Sequence, residues 1–346
     1  MSGAGEALTV GIDVGGTKVA GGVVDARGRV LAQTRGDTPA SDVTRTRGVI
    51  VDMVREFAAA YPVTAVGIGA AGWVDASRDR IRFAPHLAWR DEPLRDQVAA
   101  ALDLPVVVEN DANAAAWAEY RFGAGAGEAG AGEASAEQAG GERAIAGDAG
   151  AEQAGVDSMV LITVGTGIGG GLVLDGRLIR GSHGYAGEPG HQVAVPDGRA
   201  CTCGRRGCLE QYASGSALLR YARAGAAAQP DAAAGLLELA GGDARSITGP
   251  MVTTAARAGD KVARDAFDQV GRWLGIALAD LVQVLDPRLL VIGGGVVDAG
   301  ELLLAPTRDA YRQALGRRGQ VPAAPVVAAR LGSIAGVVGA ADLARW

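Results

Sequence analysis

The stretch TVGIDVGGTKVAGGVVDARGRVL, starting at Thr9, can be laid on MVLITVGTGIGGGLVLDGRLI, starting at Met159, by matching GGVVDARGRV to GGLVLDG-RL with one single-residue gap. Each copy reads as strand, glycine turn, strand, turn, strand, with connections short enough for antiparallel hairpins. A repeat of this kind implies two related halves, and a chain of 346 residues is long enough to divide between two cores. After the first copy the pattern changes period. Val49, Val51, Met53, Val54 and Phe57 follow a helical spacing, then come the apolar run VTAVGIGA, a helix near residues 92–102 and the strand PVVVEN. Hairpins followed by alternating helix and strand describe an α/β layer fold. Toward the C-terminus a helical stripe (Val262, Ala266, Phe267, Val270, Trp273, Leu274, Ala277, Leu281) is expected to be core. Pro287 stops it, RLLVIGG follows as a buried strand, and SIAGVVGAADLARW reads as a closing helix.

Between the two copies lies a segment of different character. Ala124 to Gly155 holds 12 Ala, 9 Gly and six acidic residues, with Ile145 its one large aliphatic and EQAG present twice. Such a composition buries too little apolar surface to offset its ordering entropy, so a mobile loop without chemistry is expected.

Charge narrows the partners. The 33 basic and 39 acidic residues leave a net charge of −6, which provides no field for nucleic acid or an anionic membrane, and a small-molecule partner fits better. No run of 18 apolar residues is present, and the opening MSGAGEALTV lacks a signal-peptide pattern, so a cytoplasmic protein is expected. In that reducing setting, three cysteines within eight positions point to metal or thiol chemistry.

Glycine-rich turns follow apolar strands three times: Asp13-Val-Gly-Gly-Thr-Lys18, Gly165-Thr-Gly-Ile-Gly-Gly170 and Gly293-Gly-Gly295. Without a Cβ, such turns let backbone N–H groups close on a phosphate, although plain hairpin geometry also uses glycine. Gly165, Gly167 and Gly170 satisfy the dinucleotide fingerprint, but GLVLDGRLI after them reads as a returning strand where that fingerprint needs a helix. A P-loop is likewise missing, since the first segment ends in GTK.

Two further constellations can carry chemistry. Glu109-Asn110-Asp111 closes a strand where open α/β sheets bind ligands; Asp111 reads equally well as the N-cap of the Ala-rich helix after it. His191, Cys201, Cys203 and Cys208 offer one imidazole and three thiolates, a set for tetrahedral zinc. A catalytic thiol is the rival reading, but it does not require two more cysteines within seven residues. Cys-x-Cys is tighter than the usual zinc spacing. Glu188 and Glu210 flank the set, so a bound ion would fix two carboxylates together.

With D13-V-G-G-T-K18, E109-N-D111, E188-P-G-H191 and C201-T-C-G-R-R-G-C208-L-E210 in place, the chain resembles the ROK family of sugar kinases, and among them the bacterial glucokinases. The resemblance implies a ribonuclease-H-like, actin-like pair of α/β domains with a cleft. It implies a small domain over 1–112 joined by the C-terminal helix at about 334–346, and a large domain over 113–333 carrying the zinc loop 191–208 and the insert 124–155. It implies ATP-dependent phosphorylation of the 6-hydroxyl of glucose. Gly15, Gly16, Thr17 and Lys18 together with Gly165, Thr166, Gly167 and Gly169 would hold the ATP phosphates, and Gly293, Gly294 and Gly295 would lie near adenosine. Asp13 would help place Mg²⁺ through water. Asn110, Asp111, Glu188, His191 and Glu210 would bind the hexose hydroxyls, Asp111 as general base, while Gly72 lets the backbone approach the sugar. Zinc on His191, Cys201, Cys203 and Cys208 would be structural, and the family habit is a homodimer or homotetramer.

Rivals are a kinase for mannose, fructose, N-acetylglucosamine or N-acetylmannosamine, a polyphosphate user, and a sugar-sensing repressor. A polyphosphate user should show a longer basic groove, of which the chain's two lysines give little sign. A repressor needs a helix-turn-helix domain, for which the eight residues ahead of the first strand leave no room.

Overall fold

The computed structural model describes residues 7–127, 155–320 and 322–346. Strands β1 (Leu8–Val14), β2 (Lys18–Val24) and β3 (Val30–Asp37) form the expected hairpins, followed by helix α1 (Val43–Ala60) and β4 (Val63–Ala70). Short strands β5 (Trp73–Val74), β6 (Ile81–Phe83) and β7 (Arg90–Glu92) make a small antiparallel sheet that the sequence did not announce. Helix α2 (Leu94–Leu102), β8 (Val106–Asn110) and α3 (Asp111–Phe122) complete the first half. The second half opens with β9 (Met159–Val164), β10 (Ile168–Leu174) and β11 (Arg177–Leu178). Helices α4 (Glu210–Ala213), α5 (Gly215–Ala228), α6 (Ala234–Leu239), α7 (Gly249–Arg257) and α8 (Lys261–Leu285) follow. Then come β12 (Leu289–Gly293), α9 (Glu301–Leu315), β13 (Val326–Ala328) and α10 (Ala335–Leu343).

The repeat in the sequence reappears as a repeat in topology. One sheet has the order β3-β2-β1-β4-β8 and the other β11-β10-β9-β12-β13, so each sets a hairpin-linked trio beside two further strands. In the first sheet β1–β2 and β2–β3 are antiparallel while β1–β4 and β4–β8 are parallel; in the second, β12–β13 is parallel. This duplicated order is the ribonuclease-H-like, actin-like α/β arrangement. Strand β10, not a helix, follows Gly165–Gly167, which removes the dinucleotide-fold reading.

The chain falls into two compact units, one of 1–161, 171–187 and 330–346, the other of 162–170 and 188–329. The division differs from a boundary at residue 112 because α3 packs with α10. A Cβ on Gly339 would lie 1.7 Å from the Ala114 carbonyl oxygen, Trp117 Nε1 donates to Asp342 Oδ2 at 2.8 Å, and Leu331 N–H donates to Glu119 Oε1 at 2.7 Å. The core of the first unit holds Val10, Ile12, Ile68 and Val108 from the sheet against Ile50, Val54 and Phe57 of α1. Helix α1 starts at Asp42, whose carboxylate accepts the Arg45 N–H, and its apolar spacing turns one face inward.

In the second unit the long α8 buries Val262, Ala266, Phe267, Val270, Leu274 and Ala277 as expected, whereas Trp273 and Leu281 are half-buried. The Trp273 indole stacks at a tilt on Tyr212, centroids 5.1 Å apart, so it roofs the α4 turn instead of filling the core.

Of the low-complexity segment, residues 128–154 lie outside the described residues. Its first residues depart from the loop expectation. Ala124–Ala126 form a 3₁₀ turn with Ala124 and Gly125 buried, and the Ala124 N–H donates to Glu119 Oε2 at 2.9 Å. Among the described residues, no helix is long and apolar enough to cross a membrane.

Candidate active site

In the first unit, β1 runs apolar until it delivers Asp13 at its C-terminal end, and the Val14–Lys18 turn returns the chain into β2. Gly15 N–H donates to the Lys18 carbonyl at 2.9 Å, while Thr38 Oγ1 donates to the Gly15 carbonyl at 2.9 Å and Thr38 N–H to the Thr17 carbonyl at 3.0 Å. Thr17 and Lys18 are exposed at the tip. A Cβ on Gly16 would lie 3.0 Å from His86 Cβ, so His86 flanks this turn.

Strand β8 delivers the second carboxylate. Asn110, not Asp111, caps α3: its side-chain oxygen accepts the Asn113 N–H at 2.9 Å. Asp111 is therefore the first helical residue and is released from the capping role that its sequence position allowed. Asn110 Nδ2 donates both to the Gly72 carbonyl and to Asp111 Oδ1, each at 3.1 Å, and Ala112 N–H donates to the same Oδ1 at 2.9 Å. Gly72 thus belongs to this cluster through its carbonyl. Its missing side chain has a packing reason, because a Cβ there would lie 2.7 Å from the Phe83 carbonyl oxygen.

Electrostatics tie Asp13 to Asp111. Burial, and then the neighbouring Asp111 charge, raise the Asp13 carboxyl from 3.8 to about 7. Burial also raises Asp111, opposed by backbone N–H groups and by the charge of His86. Two half-buried carboxylates, one raised by the charge of the other, mark a place where a cation or a proton is wanted. His86 was not anticipated. A lone histidine in APHLAW carries no motif, and only the packing against Gly16 gives it away.

In the second unit, Glu188 precedes a 3₁₀ turn, Pro189–His191, and its carbonyl accepts the His191 N–H at 3.1 Å. A tight bridged loop follows, with Val193 paired to Cys208 and Ala200 to Arg206. Gly207 is required in it, having φ +78° and a Cβ position 1.7 Å from the Val195 carbonyl oxygen. The loop gathers His191, Cys201, Cys203 and Cys208 so that one ligand atom from each lies within 4.8 Å of all the others.

The donor set fits a tetrahedral ion. With Zn–S near 2.3 Å and Zn–N near 2.0 Å, the edges of the tetrahedron should be about 3.8 Å between sulfurs and about 3.5 Å between sulfur and nitrogen. Cys203 Sγ and Cys208 Sγ are 3.7 Å apart, and Cys201 Sγ is 3.8 Å from His191 Nδ1. Nδ1 therefore faces the sulfurs, and Nε2 is the nitrogen left for another partner. Burial, then the adjacent sulfurs, push the Cys208 thiol up to about 12, so packing three sulfurs here favours a cation that can compensate thiolate charge.

Glu210, the first residue of α4, links this loop to the second glycine turn. Its Oε2 accepts the Ile168 N–H at 3.1 Å and would lie 2.3 Å from a Cβ on Gly167, while Oε1 accepts from the Cys201 thiol at 3.7 Å. The same turn docks on the start of α5: Gly215 N–H donates to the Gly165 carbonyl at 2.8 Å, and Ser216 Oγ to the Thr166 carbonyl at 2.7 Å. Gly294, at φ +81°, packs on the end of β9, where a Cβ would lie 2.6 Å from the Val164 carbonyl oxygen. The second unit thus brings together Gly165–Gly167, Gly294, Glu210 and the metal-type cluster. Ser214 and Gly215 join them unannounced by the sequence reading, although a Ser-Gly-Ser opening to an apolar helix is an N-cap signal.

The ROK family model matches residues 9–129 and 142–346. A glucokinase of Streptomyces coelicolor is 44% identical over 338 residues, covering 98% of each chain. An N-acetylmannosamine kinase of Escherichia coli O139:H28 is 33% identical over 347 residues, covering 97% of this chain and 98% of that one. Among solved structures, a ROK family glucokinase from Streptomyces griseus in complex with glucose and AMPPNP is 47% identical, with a TM-score of 0.82 covering 98% of this chain and 99% of that chain.

Proposed function

The chain belongs to the ROK family of sugar kinases, and from that membership we propose that it is a glucokinase, passing the γ-phosphoryl group of ATP to the 6-hydroxyl of glucose. The observation that carries the substrate is its likeness, over nearly the whole chain, to the S. griseus enzyme holding glucose and AMPPNP.

Asp111 is the general base in this reading. Two hydrogen bonds fix its carboxylate, both on Oδ1, so Oδ2 is the oxygen that takes the 6-hydroxyl proton as that oxygen attacks in line. Burial raises this carboxyl above its ordinary value, which makes it a stronger base. Asn110, Glu188, Glu210 and His191 Nε2 bind the remaining hydroxyls, giving a polar sugar the partners it would lose on leaving water. The backbone N–H groups at Gly15–Lys18 and Gly165–Gly169 bind phosphate oxygens, and Gly293–Gly295 borders adenosine. Asp13 would help hold Mg²⁺, which would supply charge neutralisation for the phosphates. His191, Cys201, Cys203 and Cys208 would hold a structural zinc, which would fix the loop that presents the His191 ring and Glu210. The protein acts in the cytoplasm as a homodimer or homotetramer.

A second reading, a kinase for an N-acetylated hexose, is favoured by the 33% identity to the E. coli N-acetylmannosamine kinase. A coupled assay across glucose, mannose, fructose, N-acetylglucosamine and N-acetylmannosamine, with ATP and polyphosphate as donors, separates them. Glucose with ATP should give the highest kcat/KM; comparable values on several sugars defeat the assignment. Light scattering checks the subunit number.

A further inference from the structure

Glu109 has no part in the chemistry above, yet it is the most heavily bonded carboxylate beside it. Its side chain is 1% exposed. Oε2 accepts from Arg78 Nε at 3.0 Å and lies 2.7 Å from Arg180 Nε. Oε1 accepts the Asn110 N–H at 2.9 Å and Asn113 Nδ2 at 3.1 Å. One oxygen therefore meets two guanidinium groups, and the other holds the strand-to-helix junction that carries Asn110 and Asp111.

Arg180 is anchored three ways. Besides the ion pair, Nη2 donates to the Asp75 carbonyl at 2.7 Å and Nη1 to the Ala76 carbonyl at 2.9 Å. The segment after it has left-handed glycines at Gly181, Gly184 and Gly187, with φ of +71°, +91° and +89°. Gly184 presses on the same turn, since a Cβ there would lie 2.4 Å from the Val74 carbonyl oxygen. The next residue after Gly187 is Glu188. The contacts of Arg180 and Gly184 fix the start of this glycine-bearing segment, and burying an ion pair only to end a strand is an expensive arrangement.

We propose that Glu109 and Arg180 are a positioning pair for the sugar ligands of the first unit, one carboxylate fixing both the Asn110–Asp111 junction and the start of the 180–187 segment. This rests on the reading of Asn110 and Asp111 as hexose ligands. An anion is needed at 109 because it faces two guanidinium groups; glutamine keeps the shape but turns an amide NH₂ toward one of them. Lysine at 180 can keep the ion pair but not both carbonyl bonds.

The test is steady-state kinetics on full-length Glu109→Gln, Arg180→Ala, Arg180→Lys and the Glu109→Gln/Arg180→Ala double variant, with calorimetric glucose binding alongside. Misplacing ligands by a fraction of an ångström predicts a glucose KM raised about tenfold or more in the two non-conservative single variants, with the ATP KM within about twofold. Arg180→Lys should fall between wild type and Arg180→Ala, and the double variant should be no worse than the worse single. The proposal is overturned if glucose and ATP KM rise together, if glucose KM is unchanged, or if the two losses simply add. Should Glu109→Gln fail to fold, the Arg180 pair of variants still decides. Wild-type enzyme that does not phosphorylate glucose overturns the underlying reading as well. Wild-type activity lost in Asp111→Asn but intact in the Glu109 and Arg180 variants sinks the pair alone.

Discussion

Asp111 shows how a residue's role follows from what its neighbours take over. Because Asn110 supplies the helix cap, the Asp111 carboxylate keeps an oxygen for chemistry. Asp111→Asn should lower kcat by about 10²–10⁴-fold while glucose affinity changes little, measured by coupled assay and calorimetry. Only the unprotonated base works, so kcat should fall with decreasing pH along a limb lying above the ordinary carboxylate range. Asp13 makes a separate prediction for the ligand-free protein. Its carboxyl stands at about 7 in the fold against 3.8 as the ordinary value, so the stability this group contributes is complete below the lower figure and is lost as pH rises through the higher. Asp13→Asn should therefore melt at the same temperature as wild type below about pH 4 and roughly 5 °C or more higher above pH 7, by scanning calorimetry without Mg²⁺ or nucleotide. The sequence left Asp111 balanced between cap and ligand because both uses place an acid after a strand. Only the observed Asn110 to Asn113 bond separates them.

At the scale of elements, legibility followed the strength of the periodic signal. The run VTAVGIGA is strand β4 to the residue, and the long amphipathic stripe became α8. The strands β5 to β7 escaped notice because they are two or three residues long, too short for alternation to register. The cysteine loop was legible because ligand chemistry does not depend on period. Replacing Cys203 with Ser should remove about one zinc per chain by elemental analysis, lower the melting temperature and weaken glucose binding. Unchanged metal content discards the ligand set. The contact between the first sheet and α10 was invisible in sequence, since it depends on glycines of elements far apart in the chain. A Cβ on Gly67 would lie 1.7 Å from the Ala340 carbonyl oxygen. Backbone cannot step aside as a rotamer can, so Gly67→Ala should cost at least about 3 kcal/mol in chemical denaturation or prevent folding.

For the whole molecule, the internal repeat correctly foretold a duplicated sheet order, but not which residues belong with which unit. That assignment depends on long-range contacts such as Glu119 with Leu331, which no local pattern encodes. The family model passes over residues 130–141. Deleting them should leave glucose turnover within about twofold in the coupled assay, because the family match continues on either side without them and loop length adds to closure entropy only slowly. The closing helix α10 is buried along its entire length, and Thr9 Oγ1 donates to the Ala341 carbonyl across 332 positions of chain. During synthesis on a ribosome, then, β1 waits for a turn of helix made 332 positions later before its interior can be sealed. A polypeptide stalled before α10 is made should remain open to protease at β1 and β2, not only at the stalled end.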